Sequence, residues 1–351
     1  MKNVLLYPYV FGAWEEDWSR RLKWVCDALR EEGYEIYKTK DFNFLTSISC
    51  PVDLSYVKEW NGEEPEIVIY NHADLSEIKT KGLPLPKHTW FFKPTVPDEF
   101  TTTLDELGYG SYSSITYKKP PYEEVDPNEV HKFYGDIVEG WIRDNDSKWG
   151  QDHFKQGKIP HDDFYLVIGQ CGGDSVVNRQ DFGGYFEKLE LIILELLSVD
   201  PKREVVVKLH PYTNGPMENP TASAGLREHL TEKMESFSEK VKVYSDFSSI
   251  HSFASKARCV FVGNSGAAFE VMMHDKPIVS FCQPEYHWVT YDLRKACDIY
   301  NAIKLDWFDV ESQRKFLYWY MEKYCFYDYM STKRRINDLL EEEIEYRVNL
   351  L

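Results

Sequence analysis

Residues 257–281 read Ala-Arg-Cys-Val-Phe-Val-Gly-Asn-Ser-Gly-Ala-Ala-Phe-Glu-Val-Met-Met-His-Asp-Lys-Pro-Ile-Val-Ser-Phe, and this stretch decides the fold. The apolar run at 259–262 predicts a buried strand, and the small residues that follow it predict a tight loop. Residues 267–274 have the periodicity of a helix, and the apolar run at 277–281 predicts the next strand. Strands and helices joined by such short connections favour a parallel sheet covered by helices.

The same alternation of strands and helices extends through most of the chain. In the second half, further strands are predicted at 164–169, 204–209 and 241–244, and helices at 185–197, 224–238 and 250–256. In the first half, strands are predicted at 3–10, 34–37, 66–70 and 88–92, with a helix at 14–32. From about Val310 onward the pattern is purely helical.

The chain is therefore predicted to be an α/β protein with two Rossmann-like lobes and a helical C-terminal tail. Its 351 residues exceed what one hydrophobic core usually covers. Residues 150–160 are polar and rich in helix breakers, which is typical of a linker. The predicted division is a first lobe at 1–155, a second lobe at 156–310 and C-terminal helices at 311–351 that pack back on the first lobe.

Composition narrows the classes of partner. The formal net charge is −17 and no dense Lys/Arg cluster is present, so nucleic acid is not expected as a partner. No apolar stretch approaches the roughly 20 residues of a membrane span, and the N-terminal apolar run is too short for a signal peptide. Any membrane contact is therefore expected to be peripheral. The seven cysteines include no Cys-x-x-Cys pair, which favours a reducing compartment, and a cytoplasmic location is expected.

Three polar segments of the second lobe each follow a predicted strand. Because ligands of open α/β sheets bind beyond the carboxyl ends of the strands, these segments are expected to converge. The first, Gly-Gln-Cys-Gly-Gly-Asp-Ser at 169–175, is a turn whose backbone can approach a phosphate or a sugar. It presents Gln170, Asp174 and Ser175 as candidate ligand contacts. The alternative is a loop whose Asp or Ser caps the next helix.

The second segment is Lys-Leu-His-Pro at 208–211. His210 is predicted to donate a hydrogen bond to a phosphate or a sugar hydroxyl, since histidine titrates near neutral pH. Lys208 lies two residues earlier, so it is predicted to face the same way and to contact phosphate.

The third segment, 263–270, places Asn264, Ser265 and Gly266 at the start of a predicted helix. Backbone N–H groups at that helix N-terminus, together with the serine hydroxyl, predict an anion site for a nucleotide phosphate. Glu270 lies one turn further in and is predicted to reach a ribose diol. The alternative is a serine cap followed by a surface glutamate.

The residues predicted to face the acceptor are Tyr9, Gly12, Glu285 and Tyr286, together with the loop that carries Asp105 and Gly108. Glu285 and Tyr286 follow another strand and offer a carboxylate and a ring for stacking. In the first lobe, Tyr9 and Gly12 end the first strand, and a similar loop carries Asp105 and Gly108. The short His-acid groups of the chain are interpreted as solvated turns, so no metal site is predicted; they are His72 with Asp74, and His161 with Asp162 and Asp163.

The three segments together resemble the bacterial capsule-polysaccharide glycosyltransferases, the group that includes the retaining β-Kdo transferases. The matching residues are Val-Ile-Gly-Gln-x-x-x-Asp-Ser at 167–175, Val-Lys-Leu-His-Pro at 207–211 and Asn-Ser-Gly-x-x-x-Glu at 264–270. The resemblance implies a GT-B fold with the donor site in the second lobe. It also implies a nucleotide-sugar donor linked to CMP, UDP, GDP or TDP, a glycan or glycoconjugate acceptor, and no cofactor.

Carried over by position, Asp174 would be the nucleophile at the anomeric carbon of the donor sugar. His210 and Lys208 would hold its phosphate or carboxylate, while Ser265 would bind phosphate and Glu270 the ribose. The chain departs from the family at 171–173, where the loop is usually more acidic, and at 286–290, where a Gly-Leu-Thr segment is replaced. A hexose or pentose therefore stays open beside Kdo as the donor sugar.

Other functions on two such lobes are a sugar-nucleotide epimerase, a polyol-phosphate transferase and a non-catalytic glycan-binding protein. An epimerase would act without an acceptor. A glycan-binding protein would lack affinity for nucleotides, which the segment at 263–270 argues against.

Overall fold

The computed structural model describes residues 2–7, 15–40, 54–71, 73–95, 101–147, 162–171, 177, 184–210, 213 and 226–341. The chain divides into two compact units. Unit 1 comprises Met1–Lys118 together with Trp319–Leu351, and unit 2 comprises Lys119–Tyr318. The predicted linker at 150–160 lies outside the described residues.

The strands are β1 (Asn3–Tyr7), β2 (Glu35–Lys38), β3 (Lys58–Glu59), β4 (Ile67–Asn71), β5 (His88–Pro94), β6 (Thr102–Asp105), β7 (Phe164–Ile168), β8 (Val205–Lys208), β9 (Val241–Tyr244), β10 (Ala257–Val262), β11 (Ile278–Ser280), β12 (Tyr291–Asp292) and β13 (Cys325–Phe326).

The helices are α1 (Glu15–Glu31), α2 (Leu75–Thr80), α3 (Ser114–Tyr117), α4 (Pro127–Phe133), α5 (Glu139–Asp144), α6 (Tyr185–Val199), α7 (Leu226–Glu235), α8 (Ile250–Ala254), α9 (Ala267–Met272), α10 (Ile299–Ala302), α11 (Val310–Trp319) and α12 (Tyr329–Glu341). Short 3₁₀ turns lie at Gly110–Tyr112, Tyr122–Glu124, His287–Val289 and Ala296–Asp298, and π turns at Tyr134–Val138 and Tyr320–Tyr324. In the part of the chain that is described, no helix combines the length and apolarity that crossing a membrane requires.

Unit 1 is built on a seven-stranded sheet with the order β13-β6-β5-β4-β1-β2-β3. Strands β1 to β5 pair in parallel, while β6 and β13 are antiparallel to their neighbours. On α1 the apolar side chains repeat at helical spacing, and Leu22, Val25 and Leu29 are buried in the core. Ile336 and Leu339 of α12 join the same core, so α12 is part of unit 1.

The sequence predicted a purely helical C-terminal segment. This prediction is wrong, because β13 interrupts the helices. Phe326 pairs with Thr102 at the edge of the unit 1 sheet, and its side chain is buried in that core. A strand of two residues is too short for an alternating pattern to reveal it.

Asp105 lies at the end of β6 and is completely buried. Its carboxylate accepts hydrogen bonds from the backbone N–H groups of Leu107, Gly108 and Ser114 at 2.7–3.0 Å. The hydroxyls of Ser114 and Tyr324 also donate to it, at 2.6 and 2.7 Å. The prediction that Asp105 faces an acceptor is therefore wrong, since its oxygens hold the loop after β6 and tie it to the C-terminal segment.

Unit 2 is built on a six-stranded sheet with the order β12-β11-β10-β7-β8-β9, and all of its pairs are parallel. Every residue of β7 and β8 is buried, as expected for central strands covered on both faces. Helix α6 packs Leu189, Ile193 and Leu196 into the core against these strands.

The helical segment at 122–144, which the sequence analysis assigned to the first lobe, belongs to unit 2. The Tyr134 hydroxyl donates to the carbonyl of Met272 at 3.4 Å, and the Tyr318 hydroxyl donates to Glu129 at 2.6 Å. An amphipathic pattern shows that a helix buries one face, but it does not show which sheet the face covers.

Two imidazoles connect the end of this segment to α8 and to the turn after α9. Nε2 of His251 lies 2.8 Å from the carbonyl oxygen of Asp146, and its Nδ1 lies 2.9 Å from Nε2 of His274. Because a carbonyl oxygen only accepts, His251 carries its hydrogen on Nε2, and His274 donates to its Nδ1. Burial lowers the pKa of His251, and burial with repulsion from His251 and Lys276 lowers the pKa of His274 to about 4, although Asp146 and Asp275 oppose these shifts.

Replacing Asp105 with Ala should destabilise the protein, because several buried donors lose their acceptor. We expect the free energy of unfolding to fall by about 3 kcal/mol or more, measured by urea denaturation. Tyr324→Phe removes one of these bonds and should cost about 1 kcal/mol. The control is Asp338→Ala on the exposed face of α12, which should change stability by less than about 0.5 kcal/mol. Equal stability of the Asp105 and Asp338 variants would contradict this role.

The His251–His274 pair should make stability depend on pH. The pair is neutral in the folded state, whereas unfolded histidines take up protons below about pH 6.5. Its contribution should be complete above that pH and be lost as the pH falls toward about 4. His274→Gln keeps an amide donor but does not titrate, so the dependence of stability on pH should flatten by up to about 1.4 kcal/mol per pH unit.

The matched control is His229→Gln, because His229 is exposed on α7. Urea midpoints between pH 4.5 and pH 7.5 would be compared, over roughly the window in which an ordinary histidine titrates. An unchanged slope in the His274 variant would exclude the pair as the source of the dependence.

Candidate functional site

The candidate site lies at the carboxyl edge of the unit 2 sheet, where neighbouring strands end side by side. Strand β10 lies between β7 and β11, and β8 lies on the other side of β7. The residues that follow these strands are Gln170 and Cys171 after β7, His210 after β8, Gly263–Gly266 after β10 and Cys282–Trp288 after β11. The described parts of the three predicted segments therefore lie along one edge of one sheet.

Gln170 and Asn264 pair with each other across the β7 and β10 ends. The Gln170 amide donates to the Asn264 side-chain oxygen at 2.7 Å, and the Asn264 backbone N–H donates to the Gln170 oxygen at 3.0 Å. Their exposed fractions are only 5% and 8%. Both were predicted to contact the donor, yet here their amides bind one another and fix the relative position of two loops.

Gly263 makes this pairing sterically feasible. A Cβ atom at this position would lie 2.8 Å from the Gln170 oxygen, 3.0 Å from the Tyr185 ring and 3.4 Å from the Cys282 sulfur. The Gln170 oxygen cannot move away without losing its bond to Asn264. Glycine is therefore required here by a close approach of side chains.

His210 is partly exposed and lies beside Cys171. The Cys171 sulfur is 3.3 Å from Nδ1 of His210, and the thiol is buried. The His210 carbonyl accepts from the backbone N–H and the hydroxyl of Thr213 at 3.0 and 2.6 Å. The sequence analysis did not predict a role for Cys171, because a single cysteine in a small-residue loop carries no distinguishing pattern.

Lys208 has a different local role from the one predicted. Its ammonium group donates to the backbone carbonyl of Asp246 at 2.5 Å, and only 5% of the residue is exposed. Burial, with a smaller contribution from Arg227, lowers the pKa of Lys208 to about 8 although the Asp246 carboxylate opposes the shift. The predicted phosphate contact would have to be made by one of the two other N–H groups of this almost completely buried ammonium.

Ser265 and Glu270 lie at the start of α9 and within it. The Ser265 hydroxyl accepts from the backbone N–H of Ala267 at 3.3 Å, but the N-cap of α9 is Gly266, so the serine cap of the alternative interpretation is not observed. Gly266 is the residue before the first turn and is partly exposed. Glu270 is buried, which excludes the surface glutamate of that alternative.

In the loop after β11, the two residues that were predicted to face the acceptor, Glu285 and Tyr286, point into the protein. Tyr286 is 1% exposed, its ring packs at nearly a right angle on Phe269, and its hydroxyl donates to the Ser265 carbonyl at 2.8 Å. Glu285 is also buried. A ring enclosed in this way stabilises the Ser265 turn and has no exposed face for stacking on an acceptor sugar.

Other residues of that loop are accessible. Gln283 is exposed and has a left-handed backbone, with φ of 44°, which is uncommon for a non-glycine residue. The rings of His287 and Trp288 lie 4.3 Å apart, and both residues are partly exposed. His287 Nδ1 donates to the Pro284 carbonyl at 3.1 Å, so in the neutral ring Nε2 is an acceptor.

Four predicted contacts lie outside the described residues: Tyr9, Gly12, Asp174 and Ser175. His72 and His161 lie outside them too. Of their acidic neighbours, Asp74 caps α2 through the Glu77 N–H, and Asp163 pairs with Arg203 and Arg258. Asp162 pairs with Lys256. Within the described ranges, no group of three or more His, Cys, Asp or Glu side chains could hold a metal ion.

Gly263→Ala should disrupt the Gln170–Asn264 pairing. The added methyl group overpacks the loop, and we expect a loss of about 1–3 kcal/mol in the free energy of unfolding. Gly135→Ala is the matched control, since nothing lies within 4 Å of a Cβ at that position. Urea denaturation of both variants measures the loss. Equal midpoints would show that the close approach at Gly263 does not affect the free energy of unfolding.

Comparison with solved structures identifies the fold. A β-Kdo 2,4-transferase, KpsC from Thermosulfurimonas dismutans, superposes with a TM-score of 0.54 at 16% identity, over 81% of this chain and 90% of that one. The β-Kdo 2,7-transferase KpsC of the same organism gives a TM-score of 0.52 at 14% identity, over 99% of both chains. The chain has the GT-B fold that the resemblance implied.

Comparison of sequences gives the family. A search of curated proteins found no match. The profile of the family described as "Capsule polysaccharide biosynthesis protein" matches residues 118–327, which is more than half of the chain and includes the whole carboxyl edge described above. This chain belongs to the family of capsule polysaccharide biosynthesis proteins.

Proposed function

We propose that this protein is a glycosyltransferase that moves a sugar from a nucleotide-sugar donor to a glycan or glycoconjugate acceptor. The observation that carries the proposal is the carboxyl edge of the unit 2 sheet, where described parts of three separate donor-type segments follow β7, β8 and β10. Ligands of parallel α/β sheets bind at such an edge. Membership of a polysaccharide biosynthesis family and the GT-B fold support the same reaction.

His210 is the residue that we assign to the donor phosphate. It is a partly exposed imidazole of this edge, and its Nδ1 is engaged by Cys171, so a ligand contact would be made by Nε2. A neutral imidazole can donate one hydrogen bond to a phosphate oxygen, and a protonated one adds charge. Ser265, which follows β10, and Glu270, which lies in α9, are proposed to contact phosphate and ribose.

Asp174 is proposed to be the nucleophile of a retaining reaction. Its carboxylate would attack the anomeric carbon, the bond to the nucleotide phosphate would break, and a covalent glycosyl–enzyme would form. The acceptor hydroxyl would then displace Asp174 and lose its proton, so that two inversions give net retention. This assignment depends on the Asp-Ser pair at 174–175 in the family pattern.

We propose that the reaction needs no divalent metal and takes place in the cytoplasm. The Asp-Asn-Asp run at 144–146 ends α5 and does not follow a strand. Asp144 pairs there with Arg143, and the Asp146 carbonyl faces His251. The reaction is therefore tested in the presence of EDTA.

A thermal-shift screen with CMP, UDP, GDP, TDP and CDP in EDTA tests the donor site. One nucleotide should stabilise the wild-type protein, by about 2.7 kcal/mol at a hundred times its dissociation constant. His210→Ala should lose most of this shift because it lacks the imidazole that donates a hydrogen bond to the phosphate. His229→Ala, on the exposed side of α7, should keep it. If none of the nucleotides stabilises the wild type, the proposal of an enzyme is wrong and a glycan-binding function takes its place.

Transfer assays with the sugar conjugates of the stabilising nucleotide test the chemistry. Asp174→Ala should still bind the nucleotide but should lose transfer by at least about a thousandfold, as expected when a nucleophile is removed. A folded Asp174→Ala protein that transfers sugar as fast as wild type would rule out the covalent mechanism. Conversion of the donor sugar without an acceptor would identify an epimerase.

A further inference from the structure

The thiol of Cys171 lies against the imidazole that the proposed donor site depends on. Its sulfur is 3.3 Å from Nδ1 of His210, and 3% of the cysteine is exposed. The two residues follow adjacent strands, since Ile168 at the end of β7 pairs with Lys208 at the end of β8. Building on the function proposed above, we propose that Cys171 is a positioning residue that fixes His210 as the Nε2–H tautomer.

The direction of the hydrogen bond follows from the two groups. Sulfur is a weak acceptor, whereas an unprotonated imidazole nitrogen accepts well, so the thiol S–H donates to Nδ1. The remaining ring hydrogen is then on Nε2. In this tautomer His210 offers a hydrogen-bond donor to an anionic ligand while the ring is still neutral. The opposite tautomer would present a lone pair to the phosphate and repel it.

The backbone on both sides of the contact is held, so the two side chains keep their relative position. Gly169 N–H donates to the Lys208 carbonyl at 2.9 Å, and Leu209 N–H donates to Tyr244 at 2.8 Å. A Cβ atom on Gly169 would lie 3.0 Å from the Leu209 side chain, which shows how closely the strand ends approach. Past the contact, Thr213 binds the His210 carbonyl.

Two substitutions at position 171 distinguish a positioning role of the thiol from simple packing. Serine retains an O–H donor of similar size at position 171, whereas alanine removes it. Cys171→Ser should therefore preserve the tautomer of His210, and Cys171→Ala should not. Cys259→Ala is the matched control, because Cys259 is a fully buried cysteine of the same sheet that packs in the apolar core.

The experiment has two readouts. Nitrogen and carbon NMR shifts of the His210 ring, assigned with the His210→Ala protein, report which nitrogen carries the hydrogen at pH 8. Calorimetric titration with CMP and with UDP reports binding. We expect the Nε2–H form in wild type, Cys171→Ser and Cys259→Ala, and a mixture of tautomers in Cys171→Ala. Nucleotide binding should weaken by about three- to tenfold in Cys171→Ala, the value of one hydrogen bond.

In the His210→Ala background, the Cys171→Ala change should have no further effect on binding, because the thiol acts through the imidazole. An unchanged tautomer in Cys171→Ala, or an equal loss of binding with and without His210, would overturn the positioning role. If wild type binds none of CMP, UDP, GDP, TDP and CDP, the proposed function fails, and the NMR arm still decides whether the thiol orients the ring.

Discussion

The parallel pairing of β7 with β10 is the constraint on which the candidate site depends. Its register aligns Ile168 with Val262, so the residues that follow both strands emerge at the same level of one edge. Gln170 and Asn264 can then exchange hydrogen bonds, and Gly263 leaves room for them. A shift of one residue would turn every side chain of the strand to the other face and separate the two amides.

Buried polar groups fix the geometry of loops in both units. In unit 1, Asp105 binds three backbone N–H groups and two hydroxyls; in unit 2, the Gln170 and Asn264 amides bind each other, and Lys208 binds the Asp246 carbonyl. A buried polar group is costly unless it is hydrogen-bonded, so each of these networks favours a single arrangement of its loop. Such contacts fix the positions of the loops at the carboxyl edge, and fixed positions are what a site that orients a phosphate requires.

The imidazoles of unit 2 show how the partner of one ring nitrogen sets the chemistry of the other. A carbonyl holds Nε2 of His251, and another carbonyl holds Nδ1 of His287, so both hydrogens are assigned by groups that only accept. His210 differs, because its partner is the Cys171 thiol, which has a hydrogen of its own to give. The three histidines therefore differ in the ring nitrogen that the protein engages and in the kind of partner that engages it, although the residue type is the same.

The sequence by itself determined the α/β class, most of the strands and helices, and the three segments that follow β7, β8 and β10, because hydrophobic periodicity and glycine-rich turns are local signals. It missed β6 and the two-residue strands β3, β12 and β13, since so short a strand has no alternating pattern, and it assigned residues 122–144 to the first lobe. Only the tertiary structure decided that Gln170, Lys208 and Tyr286 bind their own protein and that Cys171 meets His210. A polar residue after a strand has the same local pattern whether it faces a ligand or a neighbouring loop, and only the positions of distant residues distinguish the two.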